Sequence, residues 1–153
     1  MMLNIALGTI IIGITVTIHG YGTMFWVKVL SDKFGDLTGK PFDKTSVWAL
    51  ILTALFLLLL NFVEAIIWGV TYYYHYGISQ FSTLEESIYF SIVTYTTLGY
   101  GEITLSAPSR ILSGIEAMNG VLLLGWSTTM MFSVMQVIVT NSRAYYDSHK
   151  KED

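Results

Sequence analysis

Residues 94–102 read Thr94-Tyr95-Thr96-Thr97-Leu98-Gly99-Tyr100-Gly101-Glu102. Two glycines two apart argue against helix and for extended backbone with unusual dihedrals, because glycine takes positive φ at almost no steric cost. Just upstream, Ser82 with Glu85 and Thr83 with Glu86 form two S/T-x-x-E pairs, which start helices by engaging the first free N–H groups. The pattern predicts a short helix over 83–94 that opens into the glycine-bearing segment. Within 72–110 only 88–93 is strongly apolar, so this stretch is too short and too polar to span a bilayer.

Apolar sequence flanks it on both sides. Residues 3–27, interrupted by His19 and Gly20, are long enough at roughly 1.5 Å per residue to cross a hydrocarbon core. A cleaved signal peptide is disfavoured, since no Lys or Arg precedes the run and the run exceeds an ordinary h-region. Residues 47–70 form a second span containing Asn61 and Glu64. It ends in Trp68 and the cluster Tyr72, Tyr73, Tyr74 and Tyr76, which suits an interfacial aromatic belt. Residues 111–140 form a third, longer than a straight crossing needs, so tilt or a bend is expected. Pro108 is expected to restart the helix after the glycine-bearing segment. A half-length helix followed by non-helical backbone is tolerated at membrane depth only inside protein or beside a water-filled cavity, which is the form of a re-entrant loop.

Composition agrees. Of 153 residues, 53% are hydrophobic and 12% charged, with mean hydropathy +0.57, so a soluble globule is a poor description. The three spans leave no room for a separate soluble catalytic or regulatory module. A net charge of −3 offers no basic field for nucleic acid. The lack of cysteine excludes disulfides, thiol catalysis and cysteine-ligated metal. Lys28, Lys33, Lys40 and Lys44 lie in the first loop and Arg143, Lys150 and Lys151 in the tail, with Arg110 alone on the other side. That bias puts the N-terminus outside, the tail in the cytoplasm and the re-entrant loop toward the exterior of the cell membrane.

The pattern T-x-x-T-x-G-Y-G, here Thr94, Thr97, Gly99, Tyr100 and Gly101, closely resembles the selectivity filter of potassium channels. The likeness covers about 47–140 and is to small prokaryotic channels with one extra helix before a two-helix pore unit. It implies an all-α membrane protein with three transmembrane helices, a re-entrant pore helix and a filter loop, assembled as a homotetramer with fourfold symmetry. The implied divisions are an extra helix and loop (1–46), a pore domain (47–140) and a short cytoplasmic tail (141–153). Its activity would be passive potassium conduction, with K+ held by the main-chain carbonyls of Thr97, Leu98, Gly99 and Tyr100 up to Gly101, and with no cofactor. Its partners would be the lipid bilayer, K+ and copies of itself, and it would be no enzyme. Two alternatives stay open, a weakly selective cation channel and a non-conducting assembly or sensor subunit. Leu98 stands where the family usually has Val, and Glu102 replaces the usual Asp.

The resemblance also implies supporting roles. Tyr89, Thr94 and Glu102 would support the filter, the Tyr89 hydroxyl donating to Glu102. Gly120 and Gly125 match a hinge in the inner helix, with close helix packing the plainer alternative. Val121, Leu124, Thr128 and Phe132 would line the cavity, with Gln136 near the inner mouth. Glu64 and Glu116 are costly in a membrane helix unless neutral, paired or near water, and are expected to form a hydrogen-bonded collar around the pore helix with Asn61 or Asn119. Glu85 and Glu86 mainly cap that helix, and with Glu102 they make the outer vestibule acidic. His19, His75 and His149 are scattered and read as packing, interface or tail. No arginine repeats every third residue, so no voltage-sensing helix of the usual kind is expected.

Overall fold

The computed structural model of the chain describes residues 1–34, 43–107 and 109–149. Four helices follow in order: α1 Met2–Phe34, α2 Lys44–Tyr74, α3 Leu84–Tyr95 and α4 Arg110–His149, with no strand among the described residues. α1, α2 and α4 are each long and apolar enough to cross a membrane, making this a multi-pass membrane protein. The 33 residues of α1 and the 40 of α4 rise roughly 50 and 60 Å, well beyond a hydrocarbon core of about 30 Å.

The helices overrun their expected ends, because polar residues at an interface do not stop a helix whose backbone bonds stay satisfied. Lys28 and Lys33, expected in a loop, lie in the last turns of α1. The residues set apart as a tail continue α4 to His149, so the boundary at 140/141 is no structural break. α2 is started by Asp43, whose Oδ1 accepts from Ser46 N at 2.9 Å and from Ser46 Oγ at 3.1 Å. Those contacts, the Ser46 amide first, hold the Asp43 carboxyl below its ordinary range. Pro108, Lys40, Lys150, Lys151 and the side chain of His149 lie outside the described residues.

Two compact units make up the chain. The first comprises 1–20 and 59–125 and holds α3 and the segment after it; the second comprises 21–58 and 126–153. In the second unit Trp26 stacks on Phe56, centroids 4.5 Å apart and 8° from parallel, and its Nε1 donates to Thr53 Oγ1 at 3.0 Å. The first unit has an apolar core of Ile11, Trp68, Tyr72, Phe90, Tyr95, Leu112 and Leu123. Across the described residues, buried polar side chains are as common as buried apolar ones, while Leu55, Leu58, Phe62, Met118, Val121 and Phe132 are exposed. Polar inside and apolar outside suits lipid or further copies as the solvent, because hydrocarbon gives apolar side chains no reason to turn inward.

Candidate functional site

α3 begins with a complete capping box. Thr83 Oγ1 accepts from Glu86 N at 3.2 Å, and Glu86 Oε2 accepts from Thr83 N at 3.3 Å and from Ser82 N at 2.6 Å. Only the Thr83–Glu86 pair forms the box; Glu85 takes no part in it. The helix ends in a Schellman arrangement, with Thr97 N donating to Thr94 O at 2.9 Å and Leu98 N to Val93 O at 3.0 Å. Gly99 N also reaches Val93 O, at 3.2 Å. The first amides of the loop are thereby tied to the last carbonyls of the helix.

Beyond the helix, φ is +58° at Thr97, +56° at Gly99 and +85° at Gly101, and not positive at Leu98 or Tyr100. Such alternation departs from ordinary β geometry, in which successive carbonyls face opposite ways. Both glycines take the positive φ their positions call for. Thr97 does so as a β-branched residue, where this conformation costs roughly 1–2 kcal/mol, and strain of that kind gathers at functional sites. Residues 96–102 are exposed, with Leu98 at 56% and Tyr100 at 68%, and a Cβ added at Gly99 or Gly101 would meet nothing within 4 Å. A groove of about 580 Å³ lies against this loop, lined by Phe90, Val93, Thr94, Thr97, Glu102 and Arg110 among others. The Glu102 carboxyl near the exposed Tyr89 raises its hydroxyl above the ordinary range.

Behind α3, two buried carboxyls hold the helix. Glu116 of α4 accepts from Tyr72 Oη at 2.6 Å through Oε2, and its Oε1 meets Ser91 Oγ. Ser91 Oγ also donates to Ala65 O at 2.6 Å. Glu64 of α2 accepts from Tyr95 Oη at 2.7 Å through Oε2, while Asn61 Oδ1 lies 3.1 Å from the same hydroxyl. The expected collar is therefore present, with Asn61 in it; Asn119 instead donates to Thr15 Oγ1 of α1 at 2.9 Å. Trp68 and Tyr72 are both fully buried, so the aromatic belt is corrected to the exposed Tyr74 and Tyr76 with the half-exposed Tyr73. Tyr72 turns inward because its hydroxyl has a carboxyl to bond.

Sequence reasoning missed His19. Its Nδ1 lies 2.9 Å from Glu64 Oε1, both side chains fully buried. A signal was available, since a polar residue in each of two apolar spans is a reason to seek a pair. His75 pairs its Nε2 with Asn4 Oδ1 at 3.2 Å and accepts from Gly77 N at 3.1 Å. On α4, Val121, Thr128 and Phe132 are exposed, whereas Leu124 is partly buried against the apolar core. Gly120 lies on the α3 terminus: a Cβ there would stand 1.9 Å from Tyr95 O. Nothing lies within 4 Å of the corresponding position at Gly125, and α4 runs unbroken through both.

Three spans and a short capped helix ending in strained, exposed backbone define a multi-pass membrane protein with an exposed loop after its short helix. The family match is more specific. Residues 60–137, just over half of the chain, match the model of an ion channel family, and the chain belongs to that family, which is one of channels and not of enzymes. No curated protein and no solved structure matches it.

Proposed function

We propose that the chain is the subunit of a homotetrameric potassium-selective channel. A cation entering hydrocarbon loses hydration worth tens of kcal/mol, so a conducting path must supply oxygens in place of water. In this reading the carbonyls of Thr97, Leu98, Gly99 and Tyr100, repeated four times about an axis, supply them, and the Thr97 hydroxyl closes the inner site. One chain offers one strand of such a ring. What carries the reading is the alternation of positive φ at Thr97, Gly99 and Gly101 inside the motif T-x-x-T-x-G-Y-G.

The remaining assignments follow from it. The pore domain is 47–140, preceded by the extra helix and loop of 1–46, and the segment 141–153 is cytoplasmic while the N-terminus is outside. Val121, Thr128 and Phe132 face the cavity on the exposed side of α4, with Leu124 at its margin. Gly101 ends the filter, Tyr89, Thr94 and Glu102 brace it, and the channel sits in the cell membrane with K+ as permeant ion and no cofactor. Gly120 and Gly125 give α4 its freedom to bend.

Potassium flux into liposomes carrying the purified protein tests this, with sodium for comparison and Gly99→Ala as control. Potassium uptake that exceeds sodium uptake and vanishes in Gly99→Ala is the expected result. Equal uptake of both ions favours the weakly selective reading, and well-formed tetramers without flux favour the non-conducting one.

A further inference from the structure

We infer that His19 of α1 is a positioning residue for ion selection, acting on the filter through Glu64 and Tyr95; the inference rests on the channel reading above. Tyr95 is the last residue of α3, two positions before Thr97. Its ring is almost wholly buried, and its hydroxyl donates to Glu64 Oε2 at 2.7 Å beside Asn61 Oδ1. The main chain of the same residue is closely met by the bare Cα of Gly120. Side chain and backbone of Tyr95 are thus both fixed at the point where helix gives way to loop. The loop has little else to hold it within the chain, since residues 96–102 are exposed and its first amides bond back to Thr94 and Val93.

Glu64 has three rotatable bonds, and fixing one carboxyl oxygen leaves the other free to swing. In this protein Oε1 is fixed by His19 Nδ1 at 2.9 Å, which sets where Oε2 meets the Tyr95 hydroxyl. Hydrogen-bonded side chains in a low-dielectric interior are strongly coupled, so loss of the far partner is felt by the near one. One turn earlier on the same face of α1, Thr15 Oγ1 accepts from Asn119 Nδ2 at 2.9 Å, and Asn119 directly precedes Gly120. α1 therefore reaches both holds on Tyr95, through Glu64 on the side chain and through Asn119 on the neighbour of the backbone contact. An extra helix outside the pore unit acquires a task that its position in the sequence does not announce. Gly20 follows His19 directly, and Ile11, one turn before Thr15, belongs to the same apolar core as Tyr95.

Bi-ionic reversal potentials of the reconstituted full chain test the inference in His19→Leu, His19→Asn, Tyr95→Phe and the double variant His19→Leu/Tyr95→Phe. The expected result is a potassium-to-sodium permeability ratio reduced about tenfold in His19→Leu, with tetramers still formed, since coupling between sites commonly amounts to 5–150-fold. His19→Asn restores most of the ratio, because a carboxamide nitrogen takes the place of imidazole Nδ1. Tyr95→Phe lowers the ratio as far as His19→Leu, and the double variant lowers it no further, as groups acting in one chain do. A His19→Leu tetramer with the ratio of the parent protein overturns the inference, as does a His19→Asn channel no better than His19→Leu. Should His19→Leu fail to assemble, Tyr95→Phe, which keeps the ring in place, decides: an unchanged ratio overturns the inference and a lowered one supports it. A parent protein that does not prefer potassium overturns the potassium-selective reading itself, and that outcome is visible before any substitution is made.

Discussion

Replacing Gly120 with alanine adds one carbon where there is no room. The new Cβ would lie 1.9 Å from Tyr95 O, 2.8 Å from its carbonyl carbon and 3.0 Å from its Cα. An unstrained carbon–oxygen contact needs roughly 3.3 Å, so α3 and α4 must part by more than about 1 Å. Both sides of the contact are backbone, and no side-chain rotation relieves it. Overpacking a site typically costs 1–3 kcal/mol, and a backbone clash belongs at about 3 kcal/mol or above. A parting of that size also strains the 2.7 Å bond from Tyr95 Oη to Glu64 and drags the loop amides bound to Val93 O. Gly125→Ala is the matched control, because nothing lies within 4 Å of its Cβ position and alanine gains about 1 kcal/mol of helix propensity over glycine. Thermal unfolding in detergent micelles, read with potassium flux, should show Gly120→Ala less stable and impaired and Gly125→Ala stable. Gly120→Ala with parental stability, or Gly125→Ala as destabilising as Gly120→Ala, refutes the packing argument.

Ser91 has a single hydroxyl proton, which serves Ala65 O, while Glu116 meets Ser91 Oγ on one side and the Tyr72 hydroxyl on the other. A glutamine amide meets both needs, so Glu116→Gln should keep tetramers and selectivity, whereas Glu116→Ala should lose roughly 2–4 kcal/mol by leaving buried partners unmatched; a Glu116→Gln tetramer with transformed cation preference would assign Glu116 to permeation instead. Thr97→Gly removes backbone strain of roughly 1–2 kcal/mol against an added chain entropy of about 0.5–1 kcal/mol, so melting temperature should hold or rise while ion preference falls. A drop in melting temperature would show that Thr97 is not strained. The Asp43 carboxyl is held below its ordinary 3.8, so its contribution to α2 is complete above that value and is lost as pH falls through the lower folded one. The protection factor of the Ser46 amide, its exchange rate set against the intrinsic rate at the same pH, should therefore fall only below about pH 4, and a protection factor that does not change with pH would contradict the cap.

The sequence carried the fold where one physical rule acted alone. Apolar length marked the three spans, and the capping pair at Thr83 and Glu86 marked the start of α3 to within a residue. Helix ends were less legible, since Lys28, Lys33 and Arg143 signal the water interface and say nothing of where backbone bonding stops. Gly99 and Gly101 announced their positive φ, but Thr97 did not, because a Schellman ending depends on the register in which Leu98 N finds Val93 O. Tyr72 and Trp68 looked interfacial because aromatic residues near a span end usually are. Only tertiary pairing with Glu116 turns the Tyr72 hydroxyl inward. The His19–Glu64 pair joins residues 45 apart, and neither residue alone says which partner it meets.

The most direct test of the central claim is the reversal potential of the reconstituted protein with potassium on one face of the membrane and sodium on the other. Main-chain oxygens at Thr97 to Tyr100 that replace the hydration of potassium predict a reversal potential displaced far toward the potassium equilibrium value. A reversal potential near zero would mean that both ions pass alike and that this loop does not choose between them.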